Sequence, residues 1–333
     1  MKAMVLSSYA PVESSPLAYR DVPDPHPGPA QVRVRIHACA VCRTDLHVIE
    51  KELPPAKLPI IPGHQAVGVV DELGPGCKHL RLGQRVGIAW LGHTCGQCTY
   101  CARGQENLCE HSRYTGYHLD GGYAQYALVH EDFAYVLPET FSDIEVTPLL
   151  CAGIIGYRAL QRSAVPAGGT LGVYGFGSSA HIVMQLAKHR GCKVYAVSRA
   201  ASHQELARQL GAVWAGGTPQ ELPVKVDGAI LFAPVGSLVP PALEKLEKGG
   251  TLAVAGIYVS EIPALDYQRH LFFEKCLCSV TANTREDGRA LLAEAAAVPI
   301  RPHVTTYPLA QANEALQDMK ADRINGTGVL VMP

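Results

Sequence analysis

Apolar residues follow two different rhythms along this chain, and the change falls near residue 152. Residues 31–38 (QVRVRIHA) carry an apolar side chain at every second position, which is typical of a half-buried strand. Further short apolar runs, separated by glycine and proline, stand at 66–74 and 84–90. The chain up to about residue 150 is therefore predicted to be rich in β-strands.

The second rhythm alternates apolar strand-like runs with helix-like stretches. Strands are expected at TLGVYGFG, KVYAVSR, DGAILFAP, GTLAVAGI and CLCSVTA, and helices at SSAHIVMQLAKHR, SHQELARQLGA and PPALEKLEK. This order predicts an α/β domain over residues 152–286, with a doubly wound parallel sheet that helices cover on both faces.

The last part of the chain carries two helix-like stretches, DGRALLAEAAA and LAQANEALQDMKA, and a final apolar strand, TGVLVMP. It follows the sheet domain in sequence and can return to complete the first domain. We therefore expect residues 1–151 and 287–333 to form one domain and 152–286 the other, since 333 residues suit about two domains.

Composition excludes several classes of partner. Apolar residues make up 47% of the chain, charged residues 18%, and the net charge is −1. This balance implies neither nucleic-acid binding nor an anionic membrane surface. The amino end has no run suited to a signal peptide, and no window approaches the ~20 apolar residues of a membrane span. We expect a cytoplasmic protein whose eleven cysteines stay reduced.

Four of those cysteines stand within fifteen residues, with the spacing C-x2-C-x2-C-x7-C, at Cys95, Cys98, Cys101 and Cys109. Four thiolates on one short loop can close a tetrahedral shell around Zn²⁺ and leave no open position. We predict a structural zinc in a lobe of about residues 90–112. A disulfide is the first alternative, but nothing in the sequence indicates an oxidising compartment. An iron–sulfur site is the second, but the usual C-x3-C-P completion is absent.

A glycine turn follows the first strand of the second rhythm and opens a helix. Gly175, Gly177, Ser178 and Ala180 lie in the pattern G-x-G-x-x-A. Such a turn lets the backbone approach a pyrophosphate, which the helix N-terminus attracts. We predict dinucleotide binding here, against the alternative of an ordinary glycine turn.

The next predicted strand, KVYAVSR, ends at the position where dinucleotide-binding enzymes distinguish NAD from NADP. Enzymes that use NAD carry an acid at the position of Ser198, and Arg199 follows it here. A hydroxyl and a guanidinium favour a 2′-phosphate. The prediction is NADP(H) in preference to NAD(H), with a merely solvated Arg199 as the alternative.

Three separate residues complete a second metal site. Cys42 follows the strand at 31–38, His64 precedes the run at 66–74, and Cys151 stands where the rhythm changes. Each alone is more often a packed interior residue. Together with a nucleotide fold they form a Cys₂His set with one open position, as in catalytic zinc sites. We therefore expect two zinc ions per chain. The other five cysteines are expected to be small buried apolar residues: Cys39, Cys77, Cys192, Cys276 and Cys278.

The order and spacing of these motifs resemble the zinc-containing alcohol dehydrogenases of the medium-chain dehydrogenase/reductase superfamily. The resemblance looks closest to the bacterial class that includes cinnamyl alcohol dehydrogenases. It runs through CRTDLH at 42–47, the PGH segment, the cysteine lobe, DGGYAQY at 120–126, LLCAG and the nucleotide turn. It implies a GroES-like catalytic domain beside a Rossmann domain.

The resemblance also implies roles for individual residues. The three ligands would hold a catalytic zinc that acts as a Lewis acid on an alcohol or aldehyde. Thr44 would accept the alcohol proton, and His47 would pass it to solvent by way of the cofactor ribose. Asp45 would orient the zinc histidine, and Arg43 would contact the pyrophosphate.

Four positions bear on how this chain differs from its family. The family usually has Glu where Gln65 stands, so the metal site should be one charge more positive. Relatives often carry Arg at the position of Thr327, where it would contact the pyrophosphate. Trp90 resembles the aromatic wall of the substrate pocket, and Leu53 replaces a second tryptophan of yeast-type ethanol dehydrogenases. We expect primary alcohols larger than ethanol, including aromatic ones.

Other functions stay open at this point. A zinc polyol or formaldehyde dehydrogenase would have the same fold, whereas quinone and enoyl reductases lack these zinc ligands. A non-enzymatic NADPH-binding module is the alternative from another class. The resemblance also implies a homo-oligomer, a tetramer or a dimer, assembled partly through the edge of the nucleotide-domain sheet.

Overall fold

The structure is a computed structural model that describes residues 1–298 and 300–333. The chain divides into two compact units. Unit 1 comprises Met1–Cys151, Asn283–Ala296 and Pro302–Pro333, and unit 2 comprises Ala152–Ala282 and Ala297–Arg301.

The strands are numbered in chain order. They are β1 Lys2–Leu6, β2 Leu17–Asp21, β3 Gln31–Ala40, β4 Ala66–Leu73, β5 Arg85–Ile88, β6 Leu91–His93, β7 Arg113–Tyr114, β8 Tyr126–His130, β9 Ala134–Val136, β10 Thr170–Tyr174, β11 Lys193–Val197, β12 Trp214–Gly216, β13 Val226–Leu231, β14 Leu246–Val254, β15 Cys276–Ser279, β16 Val304–Pro308 and β17 Thr327–Val331.

The α-helices are numbered in the same way. They are α1 Arg43–Ile49, α2 Thr99–Ala102, α3 Asp143–Val146, α4 Ala152–Arg162, α5 Ser178–His189, α6 Ala201–Gln209, α7 Val239–Glu244, α8 Tyr267–His270, α9 Arg285–Ala297 and α10 Ala312–Lys320. Within the described ranges, no helix has both the length and the apolar character that crossing a membrane requires.

Unit 1 is built around a seven-stranded sheet in which β3 is central. The strand order is β16-β17-β3-β4-β5-β9, and β8 also pairs with β3. Val32, Val34 and Ile36 of β3 are buried, while the residues between them are more exposed. The predicted alternating strand at 31–38 is thus confirmed, because one of its faces packs into the core of unit 1.

Unit 2 contains a six-stranded sheet whose neighbouring strands are all parallel. Its order is β12-β11-β10-β13-β14-β15, so the chain starts in the middle, moves to one edge and then returns to build the other half. This is the doubly wound order of dinucleotide-binding folds. The predicted parallel sheet is confirmed.

The predicted helix PPALEKLEK is wrong in its second half. Helix α7 ends at Glu244, and β14 begins at Leu246. Leu246 pairs with Val226 of β13 and is fully buried in the core of unit 2. Sheet pairing therefore overrides a helical pattern of apolar residues at this point.

The cysteines outside the two predicted metal sites differ in burial. The expectation that all five are buried apolar residues is wrong for Cys276, which is exposed because β15 is an edge strand. Cys39 and Cys192 are buried, and Cys77 and Cys278 are half-buried. All eleven cysteines carry free thiols.

Candidate active site

The turn from β3 into α1 places several predicted site residues within one helical turn. Cys42 precedes the helix, and its backbone N–H donates to Asp45 Oδ2 at 2.8 Å. An acid at this position satisfies a backbone donor that has no partner within the helix and suits the positive end of the helix dipole. Asp45 is thereby fixed and almost fully buried.

His64 lies in the loop before β4 and is fully buried. Its Nδ1 is 3.0 Å from Asp45 Oδ1, and a carboxylate at this distance accepts a hydrogen bond from Nδ1–H. Its Nε2 is buried and has no hydrogen-bond partner among the described residues. An orphaned ring nitrogen in the core needs another partner, and a metal ion is one.

The side chains of Cys42, His64 and Cys151 form one cluster. Their ligand atoms all lie within 4.8 Å of one another. Cys151 arrives from a different direction, directly after a 3₁₀ turn at Thr147–Leu150. Two sulfurs and one imidazole nitrogen form a donor set that zinc accepts, with a fourth position left open. The three residues therefore fit a catalytic metal.

The charges in this cluster favour the same conclusion. A hydrogen bond from Cys151 and the nearby His64 hold the pKa of the Cys42 thiol well below its usual range, against the effect of burial. Burial alone would lower the pKa of His64, but Asp45 and Cys42 raise it to about 10. Metal binding requires deprotonated thiols and a neutral imidazole, so a bound metal ion would displace protons from these groups.

Sequence reasoning missed Tyr123 as part of this site. Its hydroxyl donates to Asp45 Oδ2 at 2.8 Å, and its side chain is fully buried. Burial first, and then the Asp45 charge, raise the pKa of Tyr123 well above its usual range, so the hydroxyl remains a donor. The DGGYAQY motif was the available signal, but nothing in it pointed to Asp45.

The proposed proton-relay residues also lie on α1. Thr44 is buried, and His47 is mostly buried, with Nδ1 hydrogen-bonded to the Glu52 carboxylate. Sequence reasoning also missed Glu52. Arg43, the predicted pyrophosphate contact, is about half exposed and forms an ion pair with Asp322 at 2.6 Å.

Two departures from the family have clear places in unit 1. Gln65 directly follows His64, is almost fully buried, and its backbone carbonyl accepts from the Ala40 N–H at 3.0 Å. Thr327 begins β17 and is buried, with its N–H donating to the His303 carbonyl at 2.9 Å.

Trp90 lies in a stack of aromatic rings next to the cluster of Cys42, His64 and Cys151. Tyr114 and Tyr117 are nearly parallel to it, at ring distances of 4.8 and 6.0 Å. The His64 ring meets Trp90 edge-on at 4.9 Å. The Tyr117 hydroxyl donates to the Pro54 carbonyl. Trp90 is thus packed against His64, one of the three candidate metal ligands.

Leu53 lies immediately before the residue that Tyr117 binds, and it is half-buried. Its N–H donates to the His47 carbonyl at 3.4 Å, so its position depends on α1. The structure therefore places both predicted pocket residues, Trp90 and Leu53, in unit 1 with the metal cluster.

The four cysteines of the lobe form a second cluster in unit 1. Their sulfur atoms lie within 4.8 Å of one another at Cys95, Cys98, Cys101 and Cys109. The N–H groups of Cys98 and Cys95 donate to sulfurs at 3.4 Å. Hydrogen bonds from backbone N–H groups lower the pKa of Cys95 to about 6, whereas burial raises that of Cys101 to about 12.

The predicted dinucleotide turn lies in unit 2. Gly175 has φ +90°, and a Cβ there would come within 2.7 Å of the Ala233 backbone nitrogen. Gly177 precedes α5 and has open space around it, as a backbone that approaches a phosphate requires. Ser178 is the first residue of α5, and Ala180, in the same helix turn, is fully buried.

Ser198 and Arg199 follow β11, the neighbour of the strand that leads into the dinucleotide turn. Ser198 is buried, and its backbone is held by hydrogen bonds to Gly216 at 2.9 Å and from Gln204 at 2.7 Å. Arg199 is exposed. All predicted cofactor residues except Arg43 thus belong to unit 2.

Comparison with known proteins agrees with both units. Residues 28–139 match the alcohol dehydrogenase GroES-like domain, and residues 180–297 match the zinc-binding dehydrogenase family. A Mycobacterium tuberculosis protein named "Probable alcohol dehydrogenase AdhA" is 50% identical, over 100% of this chain and 97% of that protein. An alcohol dehydrogenase of Geobacillus stearothermophilus is 38% identical, over 99% and 98% respectively.

Solved structures agree as well. A cobalt- and zinc-bound thermostable alcohol dehydrogenase from Pyrobaculum aerophilum superposes with a TM-score of 0.89 at 26% identity, covering 99% of both chains. A cinnamyl alcohol dehydrogenase from Sorghum bicolor superposes with a TM-score of 0.89 at 26% identity, covering 98% of this chain and 97% of that one. The predicted fold class, a Rossmann-type domain with a GroES-like domain, is confirmed.

Proposed function

Because this chain belongs to the zinc-type alcohol dehydrogenases of the medium-chain dehydrogenase/reductase superfamily, which use zinc and a nicotinamide cofactor, we propose that it oxidises primary alcohols larger than ethanol reversibly with NADP(H). The observation that carries this proposal is the cluster of ligand atoms from Cys42, His64 and Cys151, together with a buried His64 Nε2 that has no hydrogen-bond partner among the described residues.

We assign the catalytic metal to these three residues and identify it as zinc. The donor set suits zinc, and the Pyrobaculum aerophilum structure, described as cobalt- and zinc-bound, supports the assignment. Zinc, when bound, supplies a Lewis acid that favours loss of the alcohol proton or polarises an aldehyde carbonyl. A second zinc in the four-cysteine cluster has a structural role.

The chain's own residues then handle the proton and the orientation of the ligands. The Thr44 hydroxyl receives the alcohol proton as it releases its own, and His47, which is hydrogen-bonded to Glu52, passes a proton on to solvent. Asp45 accepts a hydrogen bond from the Nδ1–H of His64, which leaves Nε2 for the metal. Arg43 keeps the role that the family resemblance implies, as a contact of the cofactor pyrophosphate.

The assignment of NADP(H) rests on Ser198 and Arg199 after β11. Neither side chain repels a 2′-phosphate, and an exposed guanidinium can bind it with a charge-assisted hydrogen bond. The turn at Gly175 and Gly177 binds the pyrophosphate at the N-terminus of α5.

The proposed substrates are medium-sized or aromatic primary alcohols and the corresponding aldehydes. The half-buried Leu53 occupies less space than the tryptophan of ethanol-specific relatives, and Trp90 offers an aromatic surface. We also propose a reducing, cytoplasmic location, consistent with eleven free thiols, and a homo-oligomer.

A panel of alcohols and aldehydes assayed with both cofactors tests the proposal. We expect kcat/KM to be higher for benzyl-type or C4–C6 alcohols than for ethanol, and higher with NADPH than with NADH in the reductive direction. The Cys42→Ala variant is the control without a catalytic metal and should lose all alcohol oxidation. A preference for NADH would contradict the cofactor assignment.

A further inference from the structure

Residues 121–123, from the DGGYAQY motif, run beside the loop that carries His64. The N–H groups of Gly121, Gly122 and Tyr123 donate to the carbonyls of residues 61, 63 and 62 at 2.7, 2.8 and 3.0 Å. Residue 64 follows this stretch directly. A three-bond backbone clamp therefore fixes the position from which His64 enters the metal cluster.

The Tyr123 ring packs against the same loop. A Cβ added to Gly63 would lie 2.3 Å from Tyr123 Cδ1, and Gly63 has φ +94°, a conformation that favours glycine. Glycine at this position thus admits both the turn and the ring. The ring in turn directs its hydroxyl toward Asp45 on α1, a different segment of unit 1.

The Asp45 carboxylate has three donors whose positions determine its own. Oδ2 accepts from the Tyr123 hydroxyl and the Cys42 N–H, both at 2.8 Å, and Oδ1 faces His64 Nδ1 at 3.0 Å. All of these groups except the backbone of Cys42 belong to side chains that are almost fully buried. Without the hydroxyl, Oδ2 keeps only the Cys42 N–H as a donor, so the carboxylate is held less firmly.

We propose that Tyr123 is a positioning residue for the catalytic metal: its hydroxyl locks Asp45 in the orientation that turns His64 Nε2 toward Cys42 and Cys151. This inference rests on the proposed function, because it concerns the metal of that site. Removing the hydrogen-bond partner of a metal-binding histidine typically lowers metal affinity by about 10–100-fold. Tyr123 acts one step further out, so the effect should be near the lower end.

The test is a zinc competition titration of purified full-length protein against a colorimetric chelator. Tyr123→Phe removes only the hydroxyl and keeps the ring against Gly63. We expect about a tenfold loss of affinity for one zinc per chain and an unchanged zinc in the four-cysteine cluster. Cobalt bound in place of the weakened zinc should show a changed visible spectrum, because its imidazole ligand is held less firmly.

Tyr135→Phe is the matched control. Tyr135 is also a buried tyrosine of unit 1, but its hydroxyl has no hydrogen-bond partner among the described residues. This variant should bind both zinc ions as the wild type does. Equal losses in the two variants would show that a general loosening of the core, rather than the bond to Asp45, causes the effect, and would overturn the inference.

A double-mutant cycle separates positioning from packing. If Tyr123 acts through Asp45, the Asp45→Asn/Tyr123→Phe double variant loses no more zinc affinity than Asp45→Asn alone. Additive losses would overturn the inference, and so would an unchanged affinity in Tyr123→Phe. A wild type that binds only one zinc per chain would instead overturn the proposed function.

Discussion

Asp45 and His64 are joined by a 3.0 Å hydrogen bond between a carboxylate oxygen and Nδ1, and both side chains are almost fully buried. The two residues come from different segments, 19 positions apart. Because Asp45 accepts a hydrogen bond from Nδ1–H, the other ring nitrogen is left as a possible ligand in a cluster with two thiols. This one contact determines which ring nitrogen of His64 is available to a metal ion.

The two cysteine-containing clusters should bind zinc independently of each other. We expect two zinc ions per wild-type chain by elemental analysis and one in Cys42→Ala, whose melting temperature should change little. Cys98→Ala should instead lose the lobe zinc and lower Tm by about 5–10 °C, since a structural metal contributes directly to folding. A Cys42→Ala variant that retains two zinc ions would contradict the assignment of that cluster.

Gln65 should make the site release the alcohol proton at lower pH than a family member with Glu does. Gln65→Glu places a negative charge beside His64, so we expect the pH profile of kcat to move up by about one unit. Gln65→Met is the neutral control and should leave the profile in place. An unchanged profile in Gln65→Glu would show that this position does not affect the proton.

The parts of this site that sequence could predict are those with a local pattern. The period-two strand at 31–38, the cysteine spacing and the glycine turn each lie within a short window. By contrast, the bond from Tyr123 to Asp45 spans 78 positions and depends on how two loops pack. No local pattern encodes such a contact.

The two wrong predictions, a helix at Leu246 and burial of Cys276, also depend on contacts between distant segments. Leu246 was expected in a helix because its spacing from earlier apolar residues is helical, but pairing with Val226 in the sheet determines its structure. Cys276 is expected to be buried because a cysteine outside the metal sites usually packs as a small apolar residue, but its strand forms the sheet edge. Strand order is a property of the whole domain, and a single run of residues does not reveal it.

Ser198 should decide between the two cofactors. In Ser198→Asp a carboxylate would repel the 2′-phosphate and accept from the ribose hydroxyl of NADH. We expect kcat/KM for NADPH to fall by about 100-fold while the value for NADH is retained or rises. In Arg199→Ala, kcat/KM for NADPH should fall by about tenfold and the value for NADH should not change, because one charge-assisted hydrogen bond to the 2′-phosphate is removed. Parallel losses with both cofactors would indicate general damage to unit 2 instead.

Glu106 should stabilise unit 1 by pairing the cysteine lobe with the start of α9. Its carboxylate accepts from the Arg285 backbone N–H at 2.7 Å and from the guanidinium at 2.7 Å, and Thr94 lies close by. The side chains are only 11% and 27% exposed. Glu106→Gln leaves the guanidinium without its charge partner, so we expect the free energy of unfolding to fall by about 2–3 kcal/mol at pH 7.

The difference between the wild type and Glu106→Gln should depend on pH in one direction. Burial alone would raise the pKa of Glu106, but the hydrogen bonds and charge of Arg285 outweigh it and lower that pKa below its usual range. The stabilisation is therefore fully present above about pH 5, where the unfolded carboxyl is ionised, and is lost as the pH falls through the lowered folded pKa. Urea unfolding at pH 7, 5 and 4 measures this difference.

Glu286→Gln is the control on the same helix. Its partner, Arg289, is 3.9 Å away, and both side chains are largely exposed, so the loss should stay within about 0.5 kcal/mol at every pH. A Glu106→Gln difference that is small at pH 7, or that grows as the pH falls, would show that the pair with Arg285 does not hold the lobe to α9.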